Sequence, residues 1–226
     1  MGPTKSSFRF VSAKVKQVFK KKKFFMKNFQ KIENVIFDLG GVLFGLDMMA
    51  TVKAFENKGV KNAMEKFSEI NSSEFFYLFE VGKIPPEEFR KKMNGVFNVN
   101  LSDRDFDYCW NAMITHYPKE NYEFLENMSK RYKIFILSNT NKIHVDYFEP
   151  IASWRDGLFS KRYYSNEIGF RKPDLECFEF VVNDAKINKE KTIFIDDRPD
   201  NVFGAQKAGL QAIRLEHQQD LYKIFD

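Results

Sequence analysis

Apolar residues follow two rhythms along the chain. Val35-Ile36-Phe37 is a short unbroken apolar run that stops at Asp38 and then Gly40-Gly41, the pattern of a buried strand entering a glycine turn. Residues 134–137 repeat it and end in Ser138-Asn139-Thr140; residues 192–195 repeat it again and end in Asp196-Asp197. Leu158-Phe159 and Tyr163-Tyr164 flank a further expected strand, and residues 211–215 give a last one. From about 47 to 130 the chain reads as helices. Pro85-Pro86 before Glu87-Glu88 marks a helix start, Ser102 with Asp105 a capping pattern, and Gly209 the end of the last helix. Strands alternating with helices imply a mostly parallel sheet covered on both faces.

Composition changes this picture at the N-terminus. The formal charge is +5, yet residues 1–31 hold ten of the 36 basic residues and no acidic one, so the rest of the chain is mildly acidic. That argues against a nucleic-acid-binding core. Residues 1–31 read as a basic extension, solvated and frayed. Phe8, Val11, Val15 and Val18, with lysines between them, also suit a helix lying on an anionic membrane surface. Gly2 to Ser6 fits a loose myristoylation pattern, against which Pro3 counts; Met26 is an alternative start, and an import peptide would want more arginine. No apolar run reaches membrane-span length. Cys109 and Cys177 make neither a disulfide framework nor a metal spacing, so buried thiols and a cytoplasmic location are expected.

Three strand ends carry polar residues, and in open parallel sheets ligands bind beyond the carboxyl ends of strands. One strand-end Asp is usually a turn residue; three such ends plus Lys172-Pro173 before a helix point to a site. Asp38, Asp197 and a carbonyl at Gly40 offer hard oxygen ligands for Mg²⁺. Lys172 adds a point charge, and Ser138 and Asn139 add neutral donors. A carboxylate attacking a phosphate dianion faces about 4 kcal/mol per like-charge pair at about 4 Å and an effective dielectric near 20. A divalent cation and a lysine offset that.

The segments VIFDLGGVL (35–43), ILSNTN (136–141), GFRKPD (169–174) and FIDDRPDN (194–201) resemble, in order and spacing, those of the haloacid dehalogenase-like (HAD) hydrolase superfamily, and within it the phosphatases with a small helical cap. The resemblance implies an α/β, Rossmann-like doubly wound parallel sheet (32–46 and 121–226) with an inserted helical cap (47–120). It implies Asp38 as nucleophile, Ser138 holding the phosphate with Asn139 beside it, and Lys172 neutralising both. Asp38, the Gly40 carbonyl and Asp197 would hold Mg²⁺, with Asp196 and Asn201 supporting. In most family phosphatases residue 40 is a second Asp that protonates the leaving group, and losing a general acid typically costs 10²–10⁴-fold. The Asp-Leu-Gly opening is similar to that of the bacterial α-glucose-1-phosphate phosphatases, whose sugar leaving group needs less acid help. The expectation is a Mg²⁺-dependent phosphatase of a small phosphorylated metabolite, sugar 1-phosphates first, working through an aspartyl-phosphate. The alternatives are a metal-free 2-haloacid dehalogenase and a non-catalytic phosphate-binding or scaffold protein.

Other residues carry plainer expectations. Asp47 reads as a helix N-cap, with partial replacement of the acid missing at residue 40 as the minor alternative. His116, His144 and His217 are too scattered for a metal set, and His144, close after the Ser138 motif, reads as a helix-surface residue, with a place facing substrate as the minor alternative. Phe75, Phe76 and Phe79 read as cap core, with an apolar substrate wall as the minor alternative. Glu80 and Lys83 lie in a cap turn that can touch substrate.

Overall fold

The computed structural model describes residues 32–152, 154 and 157–225; the readings of residues 1–31 lie outside them. In chain order the elements are β1 (Asn34–Phe37), β2 (Gly45–Leu46), α1 (Met48–Asn57), α2 (Ala63–Asn71), α3 (Glu74–Glu80), α4 (Pro86–Phe97), α5 (Asp103–Asn111), β3 (Ile114–His116) and α6 (Glu120–Ser129). There follow β4 (Lys133–Ser138), α7 (Lys142–Ala152), β5 (Lys161–Tyr164), α8 (Ser165–Ile168), α9 (Leu175–Ala185), β6 (Thr192–Asp196), α10 (Pro199–Lys207) and β7 (Gln211–Arg214).

Five strands form one parallel sheet in the order β5-β4-β1-β6-β7. Successive side chains of a strand face opposite sides, and here both sides are covered. Val35, Phe37, Ile134, Ile136, Ile193 and Ile195 enter one core, while Ile36, Phe135, Leu137 and Phe194 enter the other. This double burial explains why the strands read as unbroken apolar runs rather than alternating ones. The expected strand near Leu158 begins only at Lys161, and the last strand ends at Arg214.

The helices α1 to α5 build a core of their own from Phe55, Phe67, Phe89, Phe97, Phe106 and Trp110, with Ile143 of α7 added from below. Phe79 stacks on Phe89 at 3.7 Å and 7°, so much of the phenylalanine in the composition serves this cluster. Asp47 caps α1, accepting from the Met49 N–H at 2.9 Å; Ser102 caps α5 through Asp105 N–H at 3.2 Å, and Pro86 opens α4. The wholly helical reading from 47 to 130 needs correction. β2 and β3 pair antiparallel on either side of the helices, and strands of two and three residues are too short to leave a periodic signal. Their close approach depends on Gly45, where a Cβ would fall 2.2 Å from the His116 ring. Among the described residues, no helix is long and apolar enough to cross a membrane.

Candidate active site

The chain runs from β1 to β4 and β5 on one side and returns to β6 and β7 on the other, so the crevice beyond β1 and β6 is the topological switch point. Register sets the site there. Phe37 pairs with Ile195 and with Ile136, and the Asp38 N–H donates to the Ile195 carbonyl at 2.8 Å. Asp38 thus emerges beside Asp196, with Ser138 at the end of the neighbouring strand.

Lys172 joins these ends. Its ammonium is buried and lies 2.7 Å from Asp38 Oδ1 and 2.7 Å from Asp196 Oδ2. Burial disfavours that charge, but Asp196 and Asp38 more than offset it and hold the pKa above the usual lysine value. Asp196 is fully buried, and its carboxylate accepts from Lys172, from the Arg198 N–H at 2.8 Å and from Asn201 Nδ2 at 3.0 and 3.1 Å. Asn201 reaches it from the first turn of α10, whose start is fixed by Pro199. Asp38 behaves differently: burial pushes its carboxyl up to about 7, against the pull of Lys172 and with the help of Asp196. Burial, then the charge of Asp196, raises Asp197 as well.

Oxygen atoms of Asp38, Asp196 and Asp197 lie within 4.8 Å of one another, the sole such cluster of potential metal ligands among the described residues. Asp196 is already saturated, so Asp38 and Asp197 are left to face a cation. Two raised carboxyls and an all-oxygen donor set fit Mg²⁺.

The sequence-derived residues meet here. Asp38, Gly40, Ser138, Asn139, Lys172, Asp197 and Asn201 line one cavity of about 610 Å³ between the sheet edge and the helices. The Asn139 side chain is already engaged. Its carboxamide is spent on the Lys172 backbone, donating to the carbonyl at 2.7 Å and accepting from the N–H at 2.8 Å. That side chain holds the lysine loop. Gly40 lacks a side chain, and a Cβ there would lie 2.6 Å from Leu46 Cδ1, so the place of a second carboxyl is taken by an apolar side chain.

Glu80 lines the cavity, half a turn from the loop of Gly82, but its carboxylate pairs with Arg171 at 2.5 Å; Lys83 is exposed elsewhere. Phe76 reaches the cavity wall while Phe79 is buried in the cap core. His144 is not a surface residue: it is 9% exposed and stacks on Trp110 at 5.4 Å and 8°. Cys109 and Cys177 are buried free thiols. Sequence reasoning missed Trp110 and Thr51 on the cavity wall, since helix-borne residues carry no spacing signal; Arg198 was within reach, inside the 194–201 segment. Arg171 was within reach, inside the 169–174 segment.

The model of the haloacid dehalogenase-like hydrolases matches residues 32–209. The chain belongs to this family. A D-ribitol-5-phosphate phosphatase from Bacteroides thetaiotaomicron is 25% identical over 194 residues, covering 84% of this chain and 94% of that protein. A sesquiterpene phosphatase from Aspergillus oryzae is 27% identical over 183 residues, 80% of this chain and 88% of its own. Among solved structures, a HAD family enzyme from B. thetaiotaomicron, a mutant in complex with magnesium and inorganic phosphate, superposes with a TM-score of 0.82 at 32% identity, covering 86% of this chain and 99% of that one.

Proposed function

We propose that this HAD family member is a Mg²⁺-dependent phosphatase that hydrolyses a small phosphorylated metabolite through a phosphoryl group carried on Asp38. The chain is a hydrolase of phosphoric monoesters, and relatives that span nearly its whole folded length are phosphatases. One observation carries the mechanistic reading: a buried ammonium tied to two carboxylates at 2.7 Å, with a third carboxylate adjacent, at the sheet's switch point.

Asp38 is the nucleophile. Attack of its carboxylate on the ester phosphorus opposes like charges, and Lys172 offsets that repulsion from a fixed position. Asp196 and Asn201 keep Lys172 in place without being consumed. The Ser138 hydroxyl, buried at the end of β4, donates to a phosphoryl oxygen. Asp38, Asp197 and the Gly40 carbonyl would hold Mg²⁺, which supplies charge neutralisation when bound. Because residue 40 carries no acid, the leaving group departs with little help, so good leaving groups such as sugar 1-phosphates are favoured.

The test is turnover of a sugar- and polyol-phosphate panel by the full chain. Activity is expected with Mg²⁺, abolished by EDTA, and lowered by roughly 10³-fold or more in Asp38→Asn. Turnover that survives either the chelator or the substitution refutes the proposal.

A further inference from the structure

The cavity is apolar over much of its helical side, where Phe67, Phe76 and Trp110 line it. At the start of α7 one corner is different. His144 lines the cavity, and its Nδ1 lies 2.8 Å from Asn111 Oδ1. A carboxamide oxygen only accepts, so the ring proton sits on Nδ1 and Nε2 carries a lone pair. Asn141, buried beside it, has its Oδ1 taken by the His144 N–H at 3.1 Å and by Trp110 Nε1–H at 3.4 Å. That leaves Asn141 Nδ2 as a donor. Among the described residues neither His144 Nε2 nor Asn141 Nδ2 has a partner, and both residues line the cavity. The two residues, joined by the His144 N–H to Asn141 Oδ1 bond, offer one acceptor and one donor on the same cavity wall, the complement of a hydroxyl.

We propose that His144, with its tautomer fixed by Asn111, and Asn141 read a hydroxyl of the leaving group, so that the substrate is a polyhydroxylated phosphate ester rather than an isoprenoid phosphate. This rests on the phosphatase reading and deepens it. Burial pushes His144 down to about 3, so at neutral pH it accepts a hydrogen bond and does not replace the acid missing at residue 40. An alkyl chain placed here would strand both polar groups, at a cost in discrimination of about tenfold to a hundredfold for each.

The experiment compares kcat/KM for a pentitol phosphate and for pentyl phosphate, matched in length, with p-nitrophenyl phosphate as a third substrate. The wild-type chain is expected to prefer the pentitol ester by at least about 100-fold. His144→Phe, which keeps a ring against Trp110, should compress that ratio by about 30-fold, mainly through KM, and His144→Gln, which restores an acceptor, should recover most of it. Wild-type turnover with no preference for the hydroxylated ester overturns the inference by itself, whether or not the variants fold. So does an unchanged ratio in a folded His144→Phe protein. Failure to turn over any of the three esters overturns the phosphatase reading, and this inference with it.

Discussion

Gly41 sits at φ +76° with Asp197 over it, and an added Cβ would fall 2.7 Å from Oδ2 and 2.8 Å from Cγ of that residue. Both the backbone and the neighbour therefore exclude a side chain. A non-glycine residue held in this region costs about 1–3 kcal/mol, and relief by moving Asp197 would open the carboxylate cluster. Gly41→Ala should lower the melting temperature and weaken Mg²⁺ binding together; a thermal-shift titration showing wild-type behaviour on both counts contradicts this. The preceding residue is under a weaker constraint. Gly40 meets only the far end of Leu46, a half-exposed side chain able to turn away. At this scale much of the site was legible: Asp38, Lys172, Asp196 and Asp197 stand at strand ends or before a Pro, and they converge. The use of Asn139 was not legible, because nothing in a linear sequence says that its carboxamide closes onto a backbone 33 residues away.

Among elements, the sheet was easy to read and the joint between sheet and helices was not. Strands buried on both faces give continuous apolar runs, so β1, β4 and β6 declared themselves. The contact of α3 with the loop beyond β5 left no trace in periodicity, though the structure makes it tight. A Cβ on Gly82, at φ +71°, would lie 2.0 Å from the Asn166 carbonyl oxygen of α8. Next to it, Arg171 spans to Glu80 and stands 5.7 Å over the Tyr77 ring. These contacts seat the helical insert over the carboxylates. Gly82→Ala is expected to destabilise the chain by about 1–3 kcal/mol and to lower kcat/KM for hydroxylated and alkyl esters by the same factor, because it lifts the whole wall. Steady-state kinetics on the matched esters checks it; a loss confined to the pentitol ester would show that the loop acts on the hydroxyl-reading corner instead.

Across the whole molecule, the aromatic core among α1 to α5 and the sheet with a core on each face meet around a pocket where carboxylates crowd together. Lys172 balances only part of Asp38, Asp196 and Asp197. The folded state accommodates the excess by raising Asp38 to about 7, chiefly through burial. A carboxyl raised above its unfolded value holds a proton that the unfolded chain has released, so its contribution to stability is lost as pH rises from near 3.8 towards 7. A cation reverses that balance by favouring the ionised form and displacing the proton. Mg²⁺ at about 100 times its dissociation constant should then add about 2.7 kcal/mol of stability, a rise in melting temperature of roughly 5–10 °C for a chain of this size. The rise should be full near pH 8 and shrink towards pH 6, where binding must first remove the Asp38 proton. Asp197→Asn should remove most of it at either pH. Calorimetric melts with and without Mg²⁺ at the two pH values test the linkage, and a shift that ignores both pH and Asp197 would place the cation elsewhere on the protein.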